Sequence, residues 1–337
     1  MPRRSVLSVV LAALLSFSTL VSTHAAWTLS SVGRTKSWID IASSSDGTKL
    51  AAVDGTRIYI STDFGATWLI TGASKNWRGI TTSSDGTKLA AVAFQGNIWT
   101  STNSGETWTE VTFIESTKTW YGITSSSDGT KLAAVVDGGN IWTSTNSGET
   151  WTSTADTKSW IDITSSSDGT KLAAVGGDNI WTSPDSGDTW TSTAGTKTWQ
   201  SITSSSDGTK LAATVQSGNI WTSTNSGATW TEVTSIKSTK NWAGITSSSD
   251  GTKLAAVVPN EAIWTSTNSG ATWTEDTSPG GSKAWRSITS SSDGTKLAAV
   301  ESYNGNIWVL DYGPWCTCCQ ARFKKLGLNV DEECRLF

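Results

Sequence analysis

Asp40 and Asp162, each two residues after a tryptophan in the string Trp-Ile-Asp, are the one carboxylate pair that this sequence offers to a reaction centre. Cleaving a glycoside by inversion needs two carboxyls about 6.5–9.5 Å apart, and retention needs them closer. Nothing in the sequence sets that separation, and an aspartate beside a tryptophan serves equally as a hydrogen-bond partner. Other chemistries lack their parts. The only histidine is His24, inside an apolar N-terminal stretch. Beyond it the chain has no base for a Ser-His-Asp or Cys-His nucleophile and no imidazole for zinc. The four cysteines, Cys316, Cys318, Cys319 and Cys334, crowd into the last residues at a spacing that fits no standard zinc module. No catalytic residue, metal or cofactor is therefore assigned.

Groups suited to binding are more numerous. Lys36, Lys75, Lys118, Lys158, Lys197, Lys240 and Lys283 each stand two residues before a tryptophan. On a closed ring they would encircle one mouth of a central channel and attract an acidic partner. They would equally be solvated lysines screened by Asp54, Glu115, Asp137, Asp156, Asp178, Glu261 and Glu301. The residue after each of those tryptophans varies while its neighbours do not: Ile39, Arg78, Tyr121, Ile161, Gln200, Ala243 and Arg286. Arg78, Tyr121, Gln200 and Arg286 are the polar members and join the lysines as candidate binding residues.

The elements that must position these groups follow from repetition. Ser-Ser-Asp-Gly-Thr-Lys-Leu-Ala-Ala is written seven times, its aspartates at 46, 85, 128, 168, 207, 250 and 293. A period near 40 holding several short strands is the mark of a propeller blade. Within the unit at Trp77, four short runs rich in Trp, Ile, Val and Thr are separated by Gly, Asp, Asn and Ser, which reads as four antiparallel strands. Three families of tryptophan recur along the chain, and their regularity favours wedge-filling between blades over sugar-stacking platforms. The fourth-strand family lacks a member at the C-terminal end, while Trp27 precedes the first complete unit. The expected fold is all-β: a seven-bladed propeller of four-stranded antiparallel blades, with the N-terminal strand pairing around Ile307–Leu310. Closure of that kind removes exposed sheet edges.

Between the third and fourth strands runs Ser-x-Asp/Asn-x-Gly-x-Thr-Trp, centred on Asp63, Asn103, Asn146, Asp185, Asn225 and Asn268. An acceptor oxygen, a glycine for positive φ and an underlying tryptophan are what such a hairpin needs. Asparagine keeps the acceptor without the charge, so these positions are structural. On these residues the chain resembles the BNR/Asp-box repeat proteins over about Trp27 to Asp311. That superfamily includes sialidases, sortilin-type ectodomains, xyloglucan-cleaving glycosidases and the photosystem II stability/assembly-factor family, and the dense repeats look most like the last. The resemblance implies structural Asp-boxes away from the ligand face and, for the photosystem branch, a lumenal chaperone-like role. The sialidase branch is marked by Arg-Ile-Pro and three arginines that grip a carboxylate. Here Arg57-Ile58-Tyr59 lacks the proline, and Arg34, Arg57, Arg78 and Arg286 are the only arginines in the repeat region.

Residues 1–25 read as a secretory signal, with Arg3 and Arg4 before an apolar run and small residues at its end. Residues 26–311 form the propeller, and 312–337 are a cysteine-containing tail able to form disulfides in an oxidising compartment. Without the signal, 23 basic face 29 acidic side chains, a mild imbalance that argues against nucleic acid. The expected product is a secreted or lumenal, non-catalytic scaffold, monomeric and without a membrane span after cleavage. Its ligand would be a protein or carbohydrate held on the loops that vary between units. The alternatives are a sialidase-like glycoside hydrolase and a photosystem-type assembly factor.

Overall fold

The computed structural model describes residues 25–313 apart from 33–34, 113 and 115–116, and every regular element among them is a β-strand. Residues 1–24 and 314–337, nearly all of the expected signal and the whole run of cysteines, lie outside the described residues. One unit serves for all. Its strands are Trp77–Thr82, Leu89–Gly96, Ile98–Ser101 and Thr109–Glu110, each antiparallel to the next. β-Branched and aromatic residues suit the pleat, and the Asp85-Gly86 turn reverses the chain. Asp85 accepts hydrogen bonds from Ser83 Oγ (2.6 Å) and the Thr87 amide (2.9 Å). These bonds hold its carboxyl down at about 2. Gly86 has φ +67°, and a side chain there would put its Cβ only 2.6 Å from Lys49 Cδ of the preceding unit, so both the φ and the close approach require glycine.

First strands of successive units lie against one another in chain order, and Trp285–Ser290 also lies against Asp40–Ser43. At the turn end a chain of backbone hydrogen bonds runs from each unit to the next. Ser45, Ser84, Ser127, Ser167, Ser206 and Ser249 each donate to the serine one unit on, and Ser292 donates to Ser45 at 2.7 Å. The N-terminal strand Thr28–Leu29 pairs antiparallel with Ile307–Asp311, with Thr28 opposite Val309. Beside it, Trp27 is buried, packs 6.3 Å from Trp285 and donates its indole N–H to Asp276 at 2.9 Å.

The core lies between units rather than within them. Ala51, Val53, Ile58 and Ile60 of one unit pack on Trp77, Ile80 and Leu89 of the next. Trp38, Trp77, Trp120, Trp160, Trp199, Trp242 and Trp285 are all at most 2 % exposed. Trp77 meets Trp99 edge-on at 6.1 Å and Trp108 at 6.4 Å. An indole of this kind buries about 150–250 Å2, so the repeated tryptophans serve as wedges. The faces of the first-strand indoles are not open to a sugar.

In the turns between third and fourth strands an Asp or Asn side chain ties the hairpin. Asn103 Oδ1 accepts from Ser101 Oγ and the Thr107 amide, both at 3.0 Å, and Trp108 donates to the Gly105 carbonyl. Asp63 repeats the pattern with Ser61 and Thr67.

Candidate functional site

The first strands carry an irregularity that sets the site. Pairing with the second strand slips between Trp77 and Gly79, and likewise at Trp120/Gly122, Trp160/Asp162, Trp199/Ser201 and Trp285/Ser287. The skipped residue is Arg78, Tyr121, Ile161, Gln200 or Arg286. A bulge leaves one residue unpaired and re-aims its side chain. In the other two units Ile39 and Ala243 occupy the same place just before the strand. The tryptophan stays wedged between units while the residue after it turns inward.

All seven of these side chains line one cavity of about 290 Å3, together with Asp40 and Asp162. The cavity opens on the face that carries the linkers and the second-to-third strand hairpins. At the opposite end, a smaller cavity of about 160 Å3 is lined almost wholly by repeated serines. One end is therefore individual and the other uniform.

Charge is unevenly placed in the larger cavity. Arg286 and Arg78 belong to the units flanking the one that carries Ile39 and Asp40. The Arg78 guanidinium lies 4.4 Å from the centre of the Tyr121 ring, which Phe94 buttresses edge-on at 6.4 Å. Burial, and next the like charge of Arg286, push the Arg78 pKa down. Phe94 belongs to none of the recurring families of the sequence. Its one signal there is an aromatic side chain in a hairpin that is small or polar in most units.

The two carboxylates hold strands together. Asp40 accepts from its own neighbour Ile41 N (2.9 Å), from Ser287 Oγ (2.8 Å) and from the Ile80 amide of the following unit (3.0 Å). Asp162 accepts from Ile163 N (2.9 Å), Ser201 Oγ (2.8 Å) and the Ile202 amide (3.0 Å). A first strand has no partner on its inner edge, so these carboxylates satisfy amides that would otherwise be orphaned. Burial raises both pKa values against those bonds, and Asp162 reaches about 6, with the Asp40 charge adding to the rise.

The seven lysines expected around the channel mouth stand outside this lining. Each ammonium lies over the third-strand ring of its own unit. The distances are 5.6 Å for Lys36 on Tyr59, 5.1 Å for Lys75 on Trp99, 5.0 Å for Lys118 on Trp142 and 4.4 Å for Lys158 on Trp181. Lys197 on Trp221, Lys240 on Trp264 and Lys283 on Trp308 follow at 4.5, 5.4 and 4.3 Å. Two causes combine. The lysine backbone is tied to the preceding unit's hairpin, as in the Lys36–Gly305 and Lys240–Gly218 bridges. Its side chain then finds an aromatic face, worth about 0.5–2 kcal/mol. Lys36 also meets Asp54 at 3.5 Å and Lys240 meets Glu261 at 2.5 Å, two of the screening acids expected from sequence. Among the described residues no group of three or more His, Cys, Asp or Glu side chains could hold a metal ion.

No family model and no curated protein matches this chain. Solved structures do, at the level of fold. YCF48 from Cyanidioschyzon merolae superposes with a TM-score of 0.68 at 16% identity, over 85% of this chain and 98% of that one. A structure described as YCF48 bound to D1 peptide gives 0.68 at 14% identity, over 86% and 97%. The GH74 xyloglucanase from Xanthomonas campestris gives 0.64 at 15% identity, over 84% of this chain but 53% of that one. The chain thus has the β-propeller fold, shared by binding proteins and glycosidases alike.

Proposed function

We propose that this chain is an exported, seven-bladed propeller, closed by its N-terminal strand, that binds a protein ligand without catalysis on the face carrying the linkers. The observation that carries this reading is the asymmetry between its two ends. The residues that differ between units converge on one cavity, and those that repeat form the other. Scaffolds carry specificity on variable positions over a rigid frame. The return of the Ser292–Ser45 hydrogen bond and the pairing of Thr28–Leu29 with the last strand support the closed ring. Export rests on residues 1–25. That one propeller of this fold is described with a bound peptide supports a protein ligand here.

The test is an array of peptides of varied composition, probed with the wild-type protein and the quadruple variant Arg78→Ala, Tyr121→Ala, Gln200→Ala, Arg286→Ala. The expected result is peptide binding that the variant loses while its melting transition persists. Binding that survives in this variant, or that fails instead when turn-face residues are altered, defeats the proposal.

A second reading has one observation in its favour. Asp162 near 6 has the acidity a general acid needs. A screen of glycoside substrates settles it: turnover abolished by Asp162→Asn would establish an enzyme.

A further inference from the structure

Resting on that reading, we propose that the linker-face cavity captures a peptide carboxylate, held between Arg78 and Arg286 above the apolar Ile39, with Tyr121 as the positioning residue for Arg78.

Among the described residues, neither guanidinium has a carboxylate within 4 Å, whereas Lys36, Lys75, Lys240 and Lys296 each do. A half-buried cation without a counter-ion is costly unless a ligand supplies one. Of the cavity's own acids, Asp40 attracts both arginines but spends its oxygens on strand amides and Ser287, and Asp162 is committed likewise to Ser201 and the Ile202 amide, so neither closes a contact ion pair with a guanidinium. The unit between the two arginines presents Ile39 rather than a competing polar group. The Tyr121 ring, 4.4 Å from the guanidinium carbon, holds Arg78 in place within the cavity, and a guanidinium so held can fork onto a carboxylate.

Size and surface select the class of ligand. About 290 Å3 admits an acidic side chain or a chain terminus but no folded element. A sugar ring finds no open aromatic platform here to stack on. The first-strand indoles are buried, and Tyr121 carries Arg78 on one face with the Phe94 edge beside it. Tyr303, an exposed aromatic, lies on a second-to-third strand hairpin of this face, where its amide donates to Ser37 Oγ.

The experiment follows the arginine Nε–Hε NMR signals of the whole protein, assigned through Arg78→Gln and Arg286→Gln. Three carboxylate probes are titrated: N-acetylglycine for a chain terminus, N-acetylglutamate methylamide for a side chain, and methyl glucuronide for a sugar acid. The amide of each is the control. Saturable shifts of both signals with a peptide-like acid, absent with its amide, are expected, and whichever of the first two binds tighter identifies the source. Each Arg→Gln change should weaken that probe about tenfold, as for one charge-assisted bond. Tyr121→Ala should weaken it as well, with Tyr121→Phe restoring it. Signals unmoved by every acid, or moved by the glucuronide alone, overturn the proposal. If they stay unmoved while the peptide array still depends on the linker face, this inference fails and the scaffold reading stands. If the array ignores that face, the scaffold reading itself falls.

Discussion

Replacing Asp162 with asparagine separates a strand-tying carboxylate from a reactive one, and its effect follows from the geometry. In the unfolded chain this carboxyl titrates near 3.8, and in the fold near 6. Well below pH 3.8 it is protonated in both states and costs nothing. As pH rises toward 6 the unfolded chain ionises first, so stability falls, and above 6 the loss is complete. The full difference corresponds to about 3 kcal/mol, and screening on the cavity side trims this to about 2–3. The turn aspartates run the other way. Asp85, Asp128, Asp168, Asp207, Asp250 and Asp293 sit at about 2, so their contribution is present above 4 and lost as pH falls toward 2. The wild-type protein should therefore be most stable near pH 4. Asp162→Asn puts an amide donor where one carboxylate oxygen accepted a backbone N–H, and that lost bond costs about 1–3 kcal/mol whatever the pH, against which the variant is spared the wild type's ionisation cost as pH rises. The assay is urea unfolding followed by tryptophan fluorescence from pH 4 to pH 7. The gap between wild type and variant should shrink by about 2–3 kcal/mol across that range. A gap that stays constant would refute the burial argument for this carboxylate.

Three further outcomes follow from the packing. Trp27→Ala should cost about 3–5 kcal/mol in chemical denaturation, as for a large core deletion, while Leu29→Ala two residues away, 59% exposed, should cost under about 0.5. Equal effects would mean that the N-terminal strand does not complete the last unit. Thr214 is fully buried, its hydroxyl has no partner, and the equivalent residues are Val53, Val92, Val135, Val175, Val257 and Val300. Thr214→Val should stabilise the fold by about 1–2 kcal/mol, seen as a raised melting temperature. Asn103→Asp should move stability by less than about 0.5 kcal/mol, because Asp63 already performs the same task, whereas Asn103→Ala should lose about 1 or more.

What the sequence determined was the periodic part. Seven copies of one turn, a strand alternation of two and three families of tryptophan require only local propensity and a wedge to fill, and these are properties of spacing. The uncharged Asn in the Asp-box is enough to mark that hairpin as structural, and Asn103 does accept the Thr107 amide as such a hairpin requires. Even the pairing partner of the strand at Thr28–Leu29 was legible, because a tryptophan was missing at one end of the count and spare at the other.

The tertiary structure decided where side chains point. Lys36 and its equivalents occupy a constant offset from a tryptophan, and spacing alone could send them to the channel or to the neighbouring ring. Backbone ties to the previous unit and a π face on their own unit send them outward. Arg78 and Arg286 stand out in the sequence as varying positions after a tryptophan, but it is a bulge at each of their strands that turns them into a shared cavity. A bulge is a mismatch in register between two strands distant in the chain, so it leaves no trace in the periodicity of either one. The same holds for Asp40 and Asp162: an edge amide one unit away, rather than any neighbour in sequence, fixes what those carboxylates do.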